Sequence, residues 1–349
     1  MGEKIGPAIT AVGKYLPPNV ITNDYFVRRG MNTSDEWIRE HVGIVERRFV
    51  NPEQTSADLA TEAAINALNM VDFDPKDIGG IIVATVTSQQ VFPSTACRVQ
   101  ANLGASNGFA FDFAAACAGS VYGLFIAYSM LEAGRADNIL LIGSDRLSTI
   151  TNQDDRDTAI LFGDGAGAVL IQNIKDPGPS YFYLGADGTK GDILRVDADN
   201  SGKHTIVMDG GAVYKQAVRR MTESANIVLN QANLTDDLGE IDPNKVGLVV
   251  AHQANRRIIH AIRDKLHLPD EKTYLNLKHT GNTSGASVFI AINDAYEEGK
   301  LNKGDTLLAV AIGGGLVWGG AVLQWNIKAP KIGFRRRISR AIHHHKPEE

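Results

Sequence analysis

The chain has 349 residues, of which 44% are hydrophobic and 21% charged, and its formal net charge is −5. This length suits one large α/β unit or two fused halves, and it needs neither disulfides nor a metal to fold. The mild negative charge argues against nucleic acid as the main partner, and Cys97 and Cys117 form no disulfide framework or zinc spacing. With no run of 18 apolar residues and no signal peptide, we expect a cytoplasmic protein.

The first half of the chain alternates predicted helices with short apolar strands. Ser34 and its neighbours (TSDEW, 33–37) have the composition of a helix start. Further helices are predicted over 55–69 and 93–103, with Cys97 in the core, and buried strands over 81–85, 109–113, 138–142 and 168–172. Residues 174–204 are rich in Gly, Asp and Pro and are predicted to be a connection.

Cys117 lies where the strand over 109–113 gives way to a helical pattern that ends at Gly134. The apolar stripe of that helix consists of Val121, Leu124, Phe125, Tyr128 and Leu131. Backbone N–H groups and the positive end of the helix dipole at this point would lower the thiol pKa and favour a nucleophilic thiolate. The alternative is a buried structural cysteine.

The second half repeats the first. The helix 61–69, the strand after Asp74-Pro75, the strand after Gly134 and a final glycine-rich strand all have counterparts in the same order after residue 220. The repeat predicts two similar α/β halves, at 1–174 and 175–327, followed by a basic tail at 328–349. That tail is predicted to be flexible, with a short amphipathic helix as the alternative.

The repeat also places three polar residues near one another. Gly134 lies 17 residues after Cys117 and Gly299 lies 17 residues after Asn282, so Cys117 and Asn282 are predicted to be equivalent, each starting a helix. His252 follows the second-half strand, at the edge where α/β sheets place ligands. A histidine at a strand end is often only a satisfied polar residue, and an asparagine at a helix start is often a cap.

Cys117, His252 and Asn282 form a candidate catalytic set. A cysteine supplies the nucleophile, while a histidine and an amide N–H can stabilise negative charge that develops in a reaction. Gly313, Gly314 and Gly315 offer backbone N–H groups that no side chain obstructs.

In these motifs and their order, the chain resembles the β-ketoacyl-acyl-carrier-protein synthase III family of the thiolase-like superfamily. The resemblance covers roughly residues 8–325 and is carried by TSDEW (33–37), FDFAAACAG (111–119), FGDGAG (162–167), HQAN (252–255), GNTS (281–284) and GGGLVWG (313–319). It implies a five-layered αβαβα fold and a homodimer. It implies no cofactor, because acyl-coenzyme A and malonyl-acyl-carrier protein are substrates.

The resemblance also implies a reaction. Cys117 takes an acyl group from acyl-coenzyme A, and malonyl-carrier protein then loses carbon dioxide. His252 and Asn282 would stabilise the enolate that attacks the acyl-cysteine, while the N–H groups of Cys117 and Gly314 hold the oxyanion. The reaction yields a 3-oxoacyl product and starts fatty acid biosynthesis.

The remaining contacts are also carried over from the family. Trp37 and Arg156 would sandwich the coenzyme A adenine, with Thr33 and Asn255 as further coenzyme A contacts. Phe92 would reach the partner subunit's acyl pocket, and Met208 and Tyr214 would line the pocket. Lys215 and Arg257, with neighbouring Arg256, would dock the acidic carrier protein.

Two residues depart from the family pattern. The family often has an arginine where this chain has His41, and a phenylalanine where it has Ile312. His41 puts part of the coenzyme A phosphate contact in doubt, and Ile312 could slow decarboxylation.

Other activities remain open at this point. A related condensing enzyme of polyketide or other secondary metabolism is the main alternative, since pocket shape sets primer choice. A Cys-His hydrolase would use water as acceptor and would not depend on malonyl groups. A non-catalytic scaffold would lose only stability on Cys117→Ala. A thiolase is disfavoured because the last glycine run contains no cysteine.

Overall fold

The protein contains strands along its whole described length, and they form its sheets. The computed structural model describes residues 4–198, 202, 204–235 and 241–330. The strands over these residues are β1 (Ile5–Tyr15), β2 (Asn19–Thr22), β3 (Glu46–Phe49), β4 (Gly80–Ala84), β5 (Phe109–Phe113), β6 (Asn138–Arg146), β7 (Asp164–Lys175), β8 (Ser180–Ala186), β9 (Leu194–Ala198), β10 (His204–Met208), β11 (Leu248–Ala251), β12 (Thr306–Gly313) and β13 (Val317–Gln324). The basic tail predicted over 328–349 lies outside the described residues from position 331 onward.

The helices follow the apolar periodicity of the sequence. They are α1 (Asp24–Arg28), α2 (Asp35–His41), α3 (Ser56–Asn69), α4 (Thr95–Leu103), α5 (Gly119–Glu132), α6 (Arg156–Ala159), α7 (Gly210–Gln231), α8 (Arg256–Lys265), α9 (Leu277–Thr280) and α10 (Ser287–Glu297). Side-chain caps fix the starts of several of them. Ser34 caps α2 by accepting from the Trp37 N–H, and Thr55 and Asp58 form a reciprocal capping box at α3.

The two main sheets have separate sequence origins. Within the described residues, the first has the strand order β1-β7-β6-β4-β5, with β4 parallel to both β5 and β6. The second has the order β11-β12-β13-β8, with β11 parallel to β12 and the other pairs antiparallel. Two small antiparallel pairs, β2 with β3 and β9 with β10, lie outside these sheets.

Helices fill the space between the sheets and cover their outer faces. The buried side chains of α5 and α10 pack in one core with residues of both sheets, such as Ile82 and Val250. Helix α3 and Val99 of α4 cover the other face of the first sheet, and α7 and α8 cover the other face of the second. The layer order is therefore helix, sheet, helix, sheet, helix, which confirms the predicted five-layered αβαβα fold.

Four predictions about burial or connection are wrong. Strand β5 is half-buried because it lies at an edge of its sheet. Cys97 is exposed on the first turn of α4, whose buried residues are Thr95, Ala96 and Val99, and Phe125 of the α5 stripe is 41% exposed. The connection over 174–204 contains β8, which pairs with β13, and β9.

The two central helices begin in the same unusual way. Each follows a single 3-10 turn, Ala116–Ala118 before α5 and Ser284–Ala286 before α10, whose first residue has a positive φ (43° at Ala116 and 55° at Ser284). Counted from these starts, Ser284 matches Ala116, so Cys117 corresponds to Gly285. The predicted equivalence of Cys117 with Asn282 is therefore wrong by three residues, because α5 has 14 residues and α10 has 11.

Candidate active site

A cavity of about 1010 Å³ opens where the two halves meet. It is lined on one side by Cys117 and the segment 160–162, and on the other by His252, Asn282 and the glycine run 313–315. The cavity continues outward past β9 and β10 to α2. The structure thus brings the three predicted catalytic residues to one site.

The backbone of Cys117 is fixed by the second half of the chain. Cys117 is the middle residue of the 3-10 turn before α5 and is 9% exposed. A Cβ placed on Gly313, at the end of β12, would lie 2.7 Å from the Cys117 nitrogen and 2.8 Å from the Ala115 oxygen. Only glycine allows β12 to approach this turn so closely.

The thiol of Cys117 is not the low-pKa group that its place before a helix predicts. Burial raises its pKa to about 12, with a further increase from the negative charge of Asp145, and hydrogen bonding from Ser284 acts in the opposite direction. Desolvation penalises the thiolate more than the backbone at the turn stabilises it. The resting nucleophile at neutral pH is therefore the thiol.

His252 follows β11, as predicted, and its side chain is buried. Burial lowers its pKa to about 3, so the imidazole is neutral at physiological pH. Its Nδ1 lies 2.7 Å from Ser287 Oγ on α10, and Ser287 Oγ also accepts from the Gln253 N–H at 3.3 Å. These contacts orient the ring and leave Nε2 as the nitrogen available to a substrate.

Asn282 is held by both its backbone and its side chain. Its N–H donates to Leu161 O and its carbonyl accepts from Gly163 N–H, both at 2.9 Å. Its Oδ1 accepts from the Ser284 N–H at 2.8 Å. Because Oδ1 is engaged, Nδ2 is the group that this side chain can offer to the cavity, which fits the predicted role as an N–H donor.

The glycine run and Ile312 complete the inner cavity. Gly314 lies against β9, where a Cβ would be 2.8 Å from Leu194 O. Ile312, 6% exposed, gives this end an apolar wall. The assignment of the Cys117 and Gly314 N–H groups to an oxyanion remains a prediction.

At the cavity mouth, Trp37 stacks on His41, with ring centroids 4.2 Å apart and an interplanar angle of 11°. His41 Nδ1 lies 2.9 Å from Trp37 O, and Arg156 Cζ lies 4.9 Å from the centroid of the Trp37 ring. Stacked carbon atoms need about 3.5 Å on each side, so no further ring fits between Arg156 and Trp37 at this separation. The predicted adenine sandwich requires Arg156 to move.

The other predicted binding residues have mixed placements. Met208, Tyr214, Asn255 and Arg257 line the cavity, whereas Thr33 and Phe92 are not among its lining residues. Asn255 also caps α8 by accepting from the Arg257 N–H at 2.8 Å. Phe92 is 84% exposed.

The predicted docking residues differ in how free their charges are. Lys215 and Arg257 are exposed. The Arg256 guanidinium donates to Arg39 O at 3.0 Å and Glu40 O at 3.4 Å, at the end of α2, which ties its charge to the fold. Lys215 and Arg257 are therefore the better candidates for carrier-protein contact.

Three residues near the site were missed by the sequence analysis. Ser287 orients His252, and Ser284 and Asp145 act on Cys117. Ser284 ends the GNTS motif, and Asp145 is a charged residue that continues a buried apolar strand, which was an available signal. Within residues 4–198, 202, 204–235 and 241–330, no cluster of three or more His, Cys, Asp or Glu could hold a metal ion. In the same part of the chain, every helix is too short or too polar to cross a bilayer.

Comparison with known proteins identifies the relatives of this chain. Sequence profiles described as 3-oxoacyl-[acyl-carrier-protein] synthase III and its C-terminal region match residues 111–188 and 237–325. The β-ketoacyl-[acyl-carrier-protein] synthase III of Caldanaerobacter subterraneus subsp. tengcongensis is 45% identical over 338 residues, covering 93% of this chain and 100% of the relative.

Solved structures agree with this assignment. The 3-oxoacyl-[acyl-carrier-protein] synthase III of Aquifex aeolicus VF5 superposes with a TM-score of 0.84 at 44% identity, over 92% of this chain and 100% of the other. The priming β-ketosynthase of the R1128 polyketide pathway superposes with a TM-score of 0.87 at 31% identity, over 95% and 99%. The chain belongs to the β-ketoacyl-[acyl-carrier-protein] synthase III family.

Proposed function

We propose that this chain catalyses the decarboxylating Claisen condensation that starts fatty acid biosynthesis. It transfers an acyl group from acyl-coenzyme A to Cys117 and condenses it with malonyl-acyl-carrier protein, giving 3-oxoacyl-carrier protein, coenzyme A and carbon dioxide. The observation that carries this proposal is the meeting of a buried thiol, a neutral imidazole and an amide N–H at one cavity. Residues 1–174 would supply the nucleophile and residues 175–327 the two donors.

In the first step, the Cys117 sulfur attacks the thioester carbonyl and its proton leaves with the coenzyme A thiolate. The high pKa of the thiol means that the sulfur gains full nucleophilicity only as this proton departs. The N–H groups of Cys117 and Gly314 would hold the carbonyl oxygen while it carries negative charge.

In the second step, the malonyl group loses carbon dioxide and leaves an enolate. A neutral imidazole whose Nδ1 accepts from Ser287 presents Nε2–H, and Asn282 presents Nδ2–H, so the pair can donate two hydrogen bonds to the enolate oxygen. The apolar wall at Ile312 favours loss of the carboxylate charge. Neither step needs a cofactor.

The test is intact-mass spectrometry after incubation with a panel of acyl-coenzyme A thioesters. We expect the acyl mass on the wild type and on Cys97→Ser, a control that removes the exposed cysteine, and no acyl mass on Cys117→Ala. Addition of malonyl-carrier protein should discharge the acyl group as 3-oxoacyl-carrier protein. Hydrolysis to free acid without malonyl dependence would contradict the proposal.

A priming condensation in a polyketide pathway is the second candidate. The likeness to the R1128 priming enzyme supports it, since both have the same fold at 31% identity. The acyl panel separates the two functions when it is repeated with carrier proteins of both pathways. Preferential discharge onto a fatty acid carrier protein would favour the first function.

We also infer that the enzyme works as a homodimer in the cytoplasm. Among the described residues, strand β5 forms an unpaired edge of the first sheet. In the segment between β4 and α4, Val91 and Phe92 are 98% and 84% exposed. An unpaired sheet edge and large exposed apolar side chains are both features of surfaces that bind another chain. Light scattering should give a dimer for the wild type and for Val207→Ser, and a monomer for Phe92→Ser. A monomeric wild type would contradict the inference.

A further inference from the structure

A buried carboxylate lies close behind the nucleophile. Asp145, near the end of β6, is 1% exposed. Its Oδ1 accepts from Val86 N at 2.8 Å and from the hydroxyls of Thr85 and Thr87, each at 3.1 Å. Its Oδ2 is equally buried and lacks a well-formed hydrogen bond among the described residues. A buried acceptor without a settled partner needs a physical explanation.

Ser284 links this carboxyl to the thiol. Its side chain is 1% exposed, and it lines the cavity beside Cys117. The turn that begins at Ser284 packs on both elements, since a Cβ at Gly143 of β6 would lie 2.5 Å from Gly285 O and a Cβ at Gly285 would lie 3.2 Å from Ala116 O. The Ser284 hydroxyl lowers the pKa of both Asp145 and Cys117, while Asp145 Oδ2 has no well-formed hydrogen bond to it among the described residues. A serine hydroxyl has one proton, so it can donate to only one of the two at a time.

The charge of Asp145 decides which group receives that proton. A carboxylate accepts a stronger hydrogen bond than a neutral thiol does. The Ser284 O–H therefore donates its hydrogen bond to Asp145 when Asp145 is ionised. Ser284 Oγ then faces the thiol with a lone pair and favours S–H. A neutral group at position 145 can donate to Ser284 Oγ instead, and the Ser284 O–H is then free to donate to the sulfur and stabilise a thiolate.

Other charged groups near Asp145 do not compete for this position. On the surrounding elements they have partners of their own: Arg146 with Gln54, Asp164 with Val50 and Ser148, Asp112 with Thr95 and Ala96, Asp58 with Thr55, Lys14 with Asp294, and His252 with Ser287. Cys117 is the titratable group that faces Asp145 through Ser284.

We propose that Asp145 is a positioning residue whose charge sets the direction of the Ser284 hydroxyl and, through it, the reactivity of the Cys117 thiol. The proposal rests on Cys117 being the nucleophile of the proposed function. Burial raises the pKa of Asp145 to about 6, so its charge changes within an accessible pH range. The thiol becomes more reactive when Asp145 is neutral.

The experiment measures alkylation of Cys117 by iodoacetamide between pH 5 and pH 9, read by intact mass. All proteins carry Cys97→Ser, because Cys97 is exposed and would also react. We compare this background with Asp145→Asn, Ser284→Ala, and the two changes combined. Asp164→Asn is the matched control, since Asp164 is another buried carboxyl with a raised pKa and bonds to Ser148 and Val50 instead.

We expect Asp145→Asn to accelerate alkylation at pH 7 about tenfold. A fall of about two pKa units gives about a hundredfold more thiolate, and the lower basicity of that thiolate offsets about tenfold of this gain. In the Ser284→Ala background the gain should fall to about twofold, because the hydroxyl is absent and only the direct effect of the Asp145 charge on the thiol is left. Asp164→Asn should react at the background rate.

Several results would overturn the proposal. Equal gains with and without Ser284 would show that the charge acts directly, and an equal gain in Asp164→Asn would show a nonspecific effect. No gain in a folded Asp145→Asn would also overturn it. Should Asp145→Asn not fold, the pH profile decides: with Asp145 and Ser284 both present, the rate should fall less steeply below pH 6 than it does in Ser284→Ala, and identical profiles would overturn the proposal.

Alkylation needs neither acyl-coenzyme A nor carrier protein, so this result is independent of the condensation assay. A protein that fails to condense could still show the effect of Asp145. A protein that condenses normally could equally lack it.

Discussion

The turn before α5 and the turn before α10 have nearly the same backbone but different chemistry. Both are 3-10 turns that begin with a left-handed residue, and they pack on each other, with Gly285 lying 3.7 Å from the Cβ position of Gly119. The first turn presents the Cys117 thiol to the cavity. The second presents the Ser284 hydroxyl and anchors the Asn282 side chain. The same backbone conformation thus holds a nucleophile in one half of the chain and polar donors in the other.

Removing the nucleophile tests the first turn alone. Cys117→Ala should lower both acylation and condensation by more than about a thousandfold, because the substitution removes the sulfur that carries the acyl chain between the two steps. Measured by mass and by product formation, Cys97→Ser should keep wild-type rates. Substantial condensation in Cys117→Ala would contradict the assignment of the nucleophile to the first turn.

Removing the donor tests the second turn. Asn282→Ala should slow condensation with malonyl-carrier protein about a hundredfold to a thousandfold, as expected for a lost donor to a developing oxyanion. Single-turnover acylation by acyl-coenzyme A should fall less than tenfold. Equal losses in the two half-reactions would place Asn282 in both steps and contradict the comparison.

Two glycines allow each turn to be disturbed separately. A Cβ at Gly313 would lie 2.7 Å from Cys117 N, and a Cβ at Gly143 would lie 2.5 Å from Gly285 O. Gly313→Ala should slow acylation about tenfold to a hundredfold, whereas Gly143→Ala should mainly slow condensation. Both should lower the free energy of unfolding by about 1–3 kcal/mol. The ratio of the two half-reaction rates is the readout, and the same ratio in both variants would refute the assignment.

The buried charge behind both turns has a cost in stability. The folded protein raises the pKa of Asp145 from 3.8 to about 6, so the folded state binds this proton more tightly than the unfolded state. The resulting stability is fully present below about pH 4 and is lost as pH rises through about 6. The free energy of unfolding of Asp145→Asn, relative to that of the wild type, should therefore rise by about 1–2 kcal/mol as the pH goes from 5 to 7.5. Urea unfolding at several pH values measures this. A difference that does not vary with pH would contradict this.

The smallest expected effect lies farthest from the turns. Arg156→Ala should raise KM for acyl-coenzyme A about two- to fivefold without changing the acylation rate at saturation. This is the loss of binding expected when one exposed cation–π contact is removed. A lower KM for acyl-coenzyme A in Arg156→Ala would instead show that Arg156 blocks the ring site at Trp37. Initial rates over a range of acyl-coenzyme A concentrations distinguish these outcomes.

Most elements and the three residues that meet at the cavity were predictable from the residues themselves, because apolar periodicity and order in the repeat reflect burial. The five layers were predicted only through the resemblance to a known family. The three-residue shift between Cys117 and Asn282 was not predictable from spacing, since the shared glycine at the helix end hides a difference in helix length. The raised thiol pKa was missed for a similar reason: a helix start is visible in sequence, but the burial that outweighs it depends on the other half.

The close approach of Gly313 to Cys117 has a consequence for how the enzyme matures. During synthesis from the N-terminus, Cys117 emerges almost 200 residues before the strand that supports its amide. A nascent chain that ends before β12 contains the nucleophile but lacks the support that aligns it. The chain therefore becomes able to transfer an acyl group only late in synthesis, when the last two strands join their sheet. Truncated chains that lack β12 should not become acylated at Cys117.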